Sequence, residues 1–168
     1  TAFGTHVYVY NDGPASPAPT GRMALRYKLQ SPDGTWGPEK TFYAAGIHPM
    51  SAAEHRPTSV DELCALAKHP KFVGIGETGL DYHYTAESAD IQKASLRVHI
   101  DAARETGLPL IIHARAADDD MAAILKEGYD NGPYSCVMHC FSSSAELARA
   151  ALDLGFYLSM SGIATFPK

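Results

Sequence analysis

The chain has 168 residues, of which 45% are hydrophobic and 20% charged, with a net charge of −5 and a pI near 5.8. These values fit one globular domain and exclude wholesale disorder, while the acidic balance argues against nucleic acid held mainly by a basic surface. No apolar run reaches membrane-spanning length, the N-terminus lacks a signal-peptide pattern, and three cysteines do not make a disulfide framework, so a reducing cytoplasm is the simplest setting.

Residues 1–41 form a segment rich in proline and glycine. Strand-like runs at 5–10 and 23–29 flank its loops, and Asp33-Gly34 is a turn signal. The segment reads as a β-hairpin or loop-rich appendage, with Trp36 packed at a turn. From residue 42 the pattern alternates. Residues 42–47 are a short apolar run, read as a buried strand. Ser59-Val60-Asp61-Glu62 is a capping box that starts a helix ending before Pro70. Residues 72–76 are the second strand. A long helix follows over 88–106, with Ile91, Ala94, Val98 and Ala102 on one face and Gly107 as its C-cap. The third strand is 108–112. Asp118, Asp119 and Asp120 open a helix that closes near Gly128, complementing its dipole. Residues 136–140 are the fourth strand. Ser143-Ser144-Ala145-Glu146 reads as a second capping box, whose helix ends at Gly155, and 156–160 are the fifth strand. Strands and helices in strict alternation, with near-continuous apolar strands, predict an α/β domain with a parallel sheet and right-handed crossovers.

The polar residues fall where such sheets do chemistry. The successive strands deliver His48, Glu77, His113 and His139 to their C-terminal ends, and the fifth carries Ser159 and Ser161. Those ends open on one face, which holds the active site in barrels and open sheets alike. A carboxylate with neutral imidazoles suits a divalent cation: Zn by the nitrogen ligands, Mn or Mg with more reliance on carboxylate and water. A cation so held activates water for attack on phosphorus or carbonyl centres. Three other histidines, His55, His69 and His99, read as surface or helix-face residues. Cys136, Met138 and Cys140 alternate on one face, opposite His139.

VGIGETGLDYHY (73–84), GLPLIIHARAADDDM (107–121), VMHCFS (137–142) and FYLSMSGIATF (156–166) resemble the TatD-type metal-dependent hydrolases, and GIHP (46–49) and Gln92 fit too. The resemblance covers about 42–168. It implies a TIM-like (β/α) barrel, here partial, preceded by the irregular β-rich segment 1–41. It implies a metal-dependent deoxyribonuclease with a one- or two-metal centre and DNA as substrate. Glu77 matches the metal-bridging, catalytic glutamate, and His113 and His139 match the two histidines of one metal position. Arg115 stands where a phosphate-contacting side chain can lie, and Tyr82, His83 and His48 can touch substrate.

Two departures accompany these matches. The family's first-strand His-x-His has only Thr5-His6-Val7-Tyr8 as a counterpart, so His6 is a weaker ligand candidate and Tyr8 replaces its partner. The family's later catalytic aspartate has no counterpart before Lys168. With no initiating methionine and a length below that of complete barrels, about 200 residues or more, the chain reads as the middle of a barrel. Its sheet edges then need cover from the N-terminal segment, a homo-oligomer or another partner. Two other functions remain open at this point. One is an ester or amide hydrolase akin to the aminoacyl-tRNA deacylase-like relatives. The other is a non-catalytic remnant that keeps the sheet without the reaction.

Overall fold

A computed structural model describes residues 10–11, 21–27, 33–35, 37–38 and 40–165. The expected strand over 5–10, except for Tyr10, lies outside the described residues, as do His6 and Trp36. The described strands in chain order are β1 (Tyr10–Asn11), β2 (Gly21–Tyr27), β3 (Lys40–Gly46), β4 (Phe72–Asp81), β5 (Leu110–Arg115), β6 (Cys136–Met138) and β7 (Tyr157–Leu158). They form one sheet in the same order as the sequence. β1 to β3 pair antiparallel, whereas β3 to β7 pair parallel. The helices α1 (Val60–Ala67), α2 (Ala89–Thr106), α3 (Asp118–Asp130) and α4 (Ala145–Asp153) each join two consecutive parallel strands. Parallel strands added one after another, with a helix at every crossover, progress as in a (β/α) barrel, without the reversal of order found in doubly wound sheets. β2 covers the free edge of β3.

Local sequence explains most boundaries. Ser59 Oγ accepts the Glu62 N–H, and Glu62 Oε2 accepts the Ser59 N–H, so the capping box of α1 is complete. α2 ends at Gly107 in the left-handed region. α4 corrects the second capping box: its cap is Ser144, one residue later than expected, and Ser144 Oγ accepts from the Leu147 N–H. The Ser144 N–H, which a box would give to a glutamate, goes to Asp118 Oδ2 at 2.9 Å. A tertiary bond from the head of α3 thus replaces the local one. Cys140 lies in a turn beyond β6, so it does not continue the alternation of Cys136 and Met138.

Two findings matter for the site. β4 runs five residues past its expected end. Its register against β5 shifts between Ile75 and Thr78, where three steps on β4 match two on β5. Such a bulge re-aims the side chain within it, here Glu77. The glycines around Glu77 do not stop the strand. Gly79 sits at φ +142°, and a Cβ there would lie 1.9 Å from the His113 carbonyl oxygen, so the two backbones touch because no side chain intervenes.

The second finding is the face that α2 buries. The apolar pattern pointed to Ile91, Ala94, Val98 and Ala102. Ile91 is exposed, whereas Gln92, Leu96, His99, Ile100 and Ala103 are buried with Ala102. The stripe is rotated because two polar side chains belong to the core face and bond strand-end backbone. Gln92 Oε1 accepts from the Asp81 N–H at 2.7 Å, and its Nε2 donates to the Asp81 and Thr85 carbonyls. His99 Nε2 accepts from the Ile47 N–H at 3.0 Å, and its Nδ1 donates to the Ser95 carbonyl at 2.7 Å. Of the two expected placements for His99, surface or helix face, the structure shows the helix face, and it is the buried face of α2. An imidazole here satisfies a buried amide that would otherwise be orphaned.

Burial lowers the pKa of His99 to about 4, against the smaller opposing effect of its bond to Ser95. The unfolded chain takes up this proton from about pH 6.5 downward while the folded chain refuses it. Stability therefore falls as pH drops through that window, and this contribution levels off below pH 4. Between pH 7 and pH 5 the loss is about 2 kcal/mol. Urea unfolding at both values is expected to show this drop in the wild type and a smaller one in His99→Gln, whose side chain does not titrate.

Candidate metal centre

Strands β3, β4 and β5 bring three side chains together: His48 follows β3, Glu77 lies within β4 four residues before its end, and His113 lies two residues before the end of β5. One nitrogen each from His48 and His113 and one oxygen from Glu77 all lie within 4.8 Å of one another. Glu77 Oε1 is 3.5 Å from His113 Nδ1 and 4.0 Å from His48 Nε2. The two imidazoles meet edge to face with centroids 4.6 Å apart. Glu77 keeps 16% of its side chain exposed, so the cluster is shielded yet reachable.

Burial pushes the Glu77 carboxyl pKa up, but the hydrogen bond with His113 and the charges of His48, His139 and His113 outweigh it, so the group stays below its ordinary value. Burial pushes His113 down, and bonds to Glu77 and Asp81 more than reverse this. His48 is lowered, first by burial and then by the neighbouring His113. An anionic carboxylate beside imidazoles is a donor set for a divalent cation.

The residue that sequence reasoning missed is Asp81. It is fully buried at the end of β4, and its Oδ2 lies 2.9 Å from His113 Nε2. A carboxylate there fixes the proton on Nε2 and leaves Nδ1 as the nitrogen that faces Glu77. Such partners orient metal-binding histidines, so the cluster fits a cation in its supporting layer as well as in its donors. The signal was present in the sequence. Asp81 follows Glu77 by four residues, but reading the strand as ended at Gly76 put it in a loop. Asp81→Asn is expected to weaken cation binding roughly 10–100-fold, because a neutral amide, which can turn either its oxygen or its NH₂ to His113, fixes the Nε2 proton less firmly than a carboxylate. Titration calorimetry with Zn and Mn reads this directly.

The other expected residues are placed as follows. His48 caps the turn Pro49–Ser51: its Nδ1 accepts from the Met50 N–H at 3.3 Å, which leaves Nε2 as the protonated nitrogen facing Glu77. His139 follows β6 directly. Its backbone N–H bonds the Ile112 carbonyl, its side chain is exposed, and it stays outside the three-residue group although its charge reaches Glu77. Arg115 is exposed at the end of β5, beside a cleft of about 640 Å³ lined also by Ser142, Ser143 and Ile163. Tyr82 is half-buried and donates its hydroxyl to Asp120 Oδ2 at 2.6 Å, bracing the turn after β4 against α3. His83 is exposed on that turn. Asp118 and Asp120 thus serve as acceptors for Ser144 and Tyr82.

The family of TatD related DNases matches residues 35–168. The chain belongs to this family. A Bacillus subtilis protein named metal-dependent hydrolase YabD is 42% identical over 125 residues, which cover 74% of this chain and 49% of that protein. A Klebsiella pneumoniae protein named 3'-5' ssDNA/RNA exonuclease TatD is 31% identical over 141 residues, covering 84% of this chain and 49% of its own length. The crystal structure of the TatD homologue YJJV from Escherichia coli superposes with a TM-score of 0.64 at 30% identity, covering 73% of this chain and 47% of that one. The TatD match therefore spans most of this chain but about half the length of these relatives. It bears out the resemblance and the partial (β/α) barrel. No helix among the described residues is long and apolar enough to cross a membrane.

Proposed function

We propose that this protein is a divalent-metal-dependent hydrolase of phosphodiester bonds in DNA. The observation that carries the reading is the convergence of Glu77 and His113 with Asp81 behind the imidazole. Glu77 and His113 would hold the cation, Zn, Mn or Mg, and His139 at the next strand end would complete the donor set. When bound, the cation supplies Lewis-acid stabilisation of the developing phosphate charge and lowers the pKa of water. His48 directs its Nε2 proton at the site and hydrogen-bonds a phosphate oxygen. Arg115 neutralises a neighbouring phosphate from the rim of the cleft, which removes the need for a broad basic surface. His83 and Tyr82 border the entry on the turn after β4. Asp81 keeps His113 in the tautomer that binds.

The division into a β-rich segment 1–41 and a barrel part 42–168 is part of the same reading; the family match begins at 35 and β3 at Lys40, so both cross that boundary. A cytoplasmic setting fits the three cysteines, all of them free thiols. Tyr157, Met160 and Ile163 near β7 are exposed apolar side chains, which fits cover by a homo-oligomer or another partner.

The test is release of nucleotides from single-stranded DNA in the presence of Mn, Zn or Mg, with and without chelator. Chelator-sensitive release is the expected result. Turnover of carboxylic esters without any nuclease activity would replace this reading with ester hydrolysis, and a folded chain that binds no divalent cation would refute both.

A further inference from the structure

The turn after β4 presents Tyr84, 55% exposed, three residues beyond Asp81, whose carboxylate meets His113 of the candidate centre. An exposed tyrosine alone is ordinary, but its surroundings are not. The Arg115 guanidinium carbon lies 4.7 Å from the Tyr84 ring centroid, and the His83 ring meets it at 4.5 Å with planes 78° apart. The backbone holds this group in place. The N–H groups of His83 and Tyr84 both donate to Asp81 Oδ1, at 3.0 and 2.9 Å, while Asp81 Oδ2 faces His113 Nε2. Asp81 and Arg115 are also paired residues across β4 and β5. One buried carboxylate thus fixes both the imidazole of the centre and the turn that carries the ring.

A π face beside a guanidinium is the pairing that a single strand of nucleic acid meets on proteins that bind it, with stacking for the base and positive charge for the phosphate. Bases within a duplex are already stacked on both sides and are not available to such a ring. We propose that Tyr84, backed by Arg115, is a stacking platform that holds an unpaired nucleobase of the substrate strand. The inference rests on the phosphodiesterase reading and adds the residue that holds a base of the substrate.

The experiment measures fluorescence anisotropy of the full chain with a labelled oligo-dT, an oligo-rU and an abasic deoxyribose-phosphate strand of equal length. Binding is read in EDTA, where cleavage is suppressed, and Mn-dependent nucleotide release is scored separately. The wild type is expected to bind the base-bearing strands about tenfold tighter than the abasic strand. Tyr84→Ala is expected to lose that preference and Tyr84→Phe to keep it, with circular dichroism confirming that both variants fold. The preference appearing with oligo-dT, with oligo-rU or with both supports the platform and says which strand it takes. Equal affinity of the wild type for all three strands overturns it, as does a preference that survives in Tyr84→Ala. A Tyr84-dependent preference without Mn-dependent cleavage refutes the phosphodiesterase reading alone, and cleavage without the preference refutes the platform alone.

Discussion

Glu77→Gln is expected to abolish divalent-cation uptake and to reduce nuclease activity by more than about 100-fold, the upper end of what losing a second-layer partner costs. The substitution keeps the shape and removes the charge. Glu77 is the one carboxylate in the group, and His113, His48 and His139 all favour its anionic form. A neutral amide in its place leaves Asp81 as the remaining counter-charge of the imidazoles and a cation without its anionic donor. His113 loses its contact at 3.5 Å while keeping Asp81, so the fold around the site persists and the effect is chemical. Titration calorimetry of the wild type and the variant, with thermal melts as a folding control, measures it. Cation uptake equal to the wild type in a folded Glu77→Gln would remove Glu77 from the ligand set and move attention to His113 and His139.

The alternation of strands and helices was legible because buried parallel strands are short apolar runs, and caps such as Ser59 with Glu62 act locally. Glu77 and His113 were legible as partners because strand ends of a parallel sheet share one face. Three things were not legible, for physical reasons. The extension of β4 to Asp81 depends on close contact with β5, which glycine permits but does not announce. The buried face of α2 includes Gln92 and His99, whose polar atoms serve backbone groups far away in the chain, at Asp81 and Ile47. A hydropathy pattern counts both as solvent-facing. The cap of α4 shifted because Asp118, 26 residues earlier, bonds Ser144. Each miss is a case of tertiary hydrogen bonding overriding a local signal. Two of them, the length of β4 and the face of α2, surround Asp81, which is why this residue escaped notice.

Gly79→Ala is expected to be the most destabilising single-methyl change in the described chain, at about 4 kcal/mol or more. Two costs combine. The residue sits at φ +142°, a conformation that side chains disfavour. The added Cβ would also fall 1.9 Å from the His113 carbonyl oxygen and 2.9 Å from its carbonyl carbon. Those are backbone atoms of a paired strand, so no rotamer change relieves the contact and β4 must move away from β5. Gly107→Ala separates the two costs. Gly107 also has positive φ, +68°, but nothing lies within 4 Å of its Cβ position, so its penalty is the dihedral one, about 1–2 kcal/mol. Urea unfolding of both variants gives the difference. Any Gly79→Ala chain that does fold is expected to bind cations more weakly, because separating β4 from β5 draws Glu77 and Asp81 away from His113 together. A Gly79→Ala midpoint equal to that of Gly107→Ala would mean that the strands tolerate the shift, and that their close approach does not set the geometry of the centre.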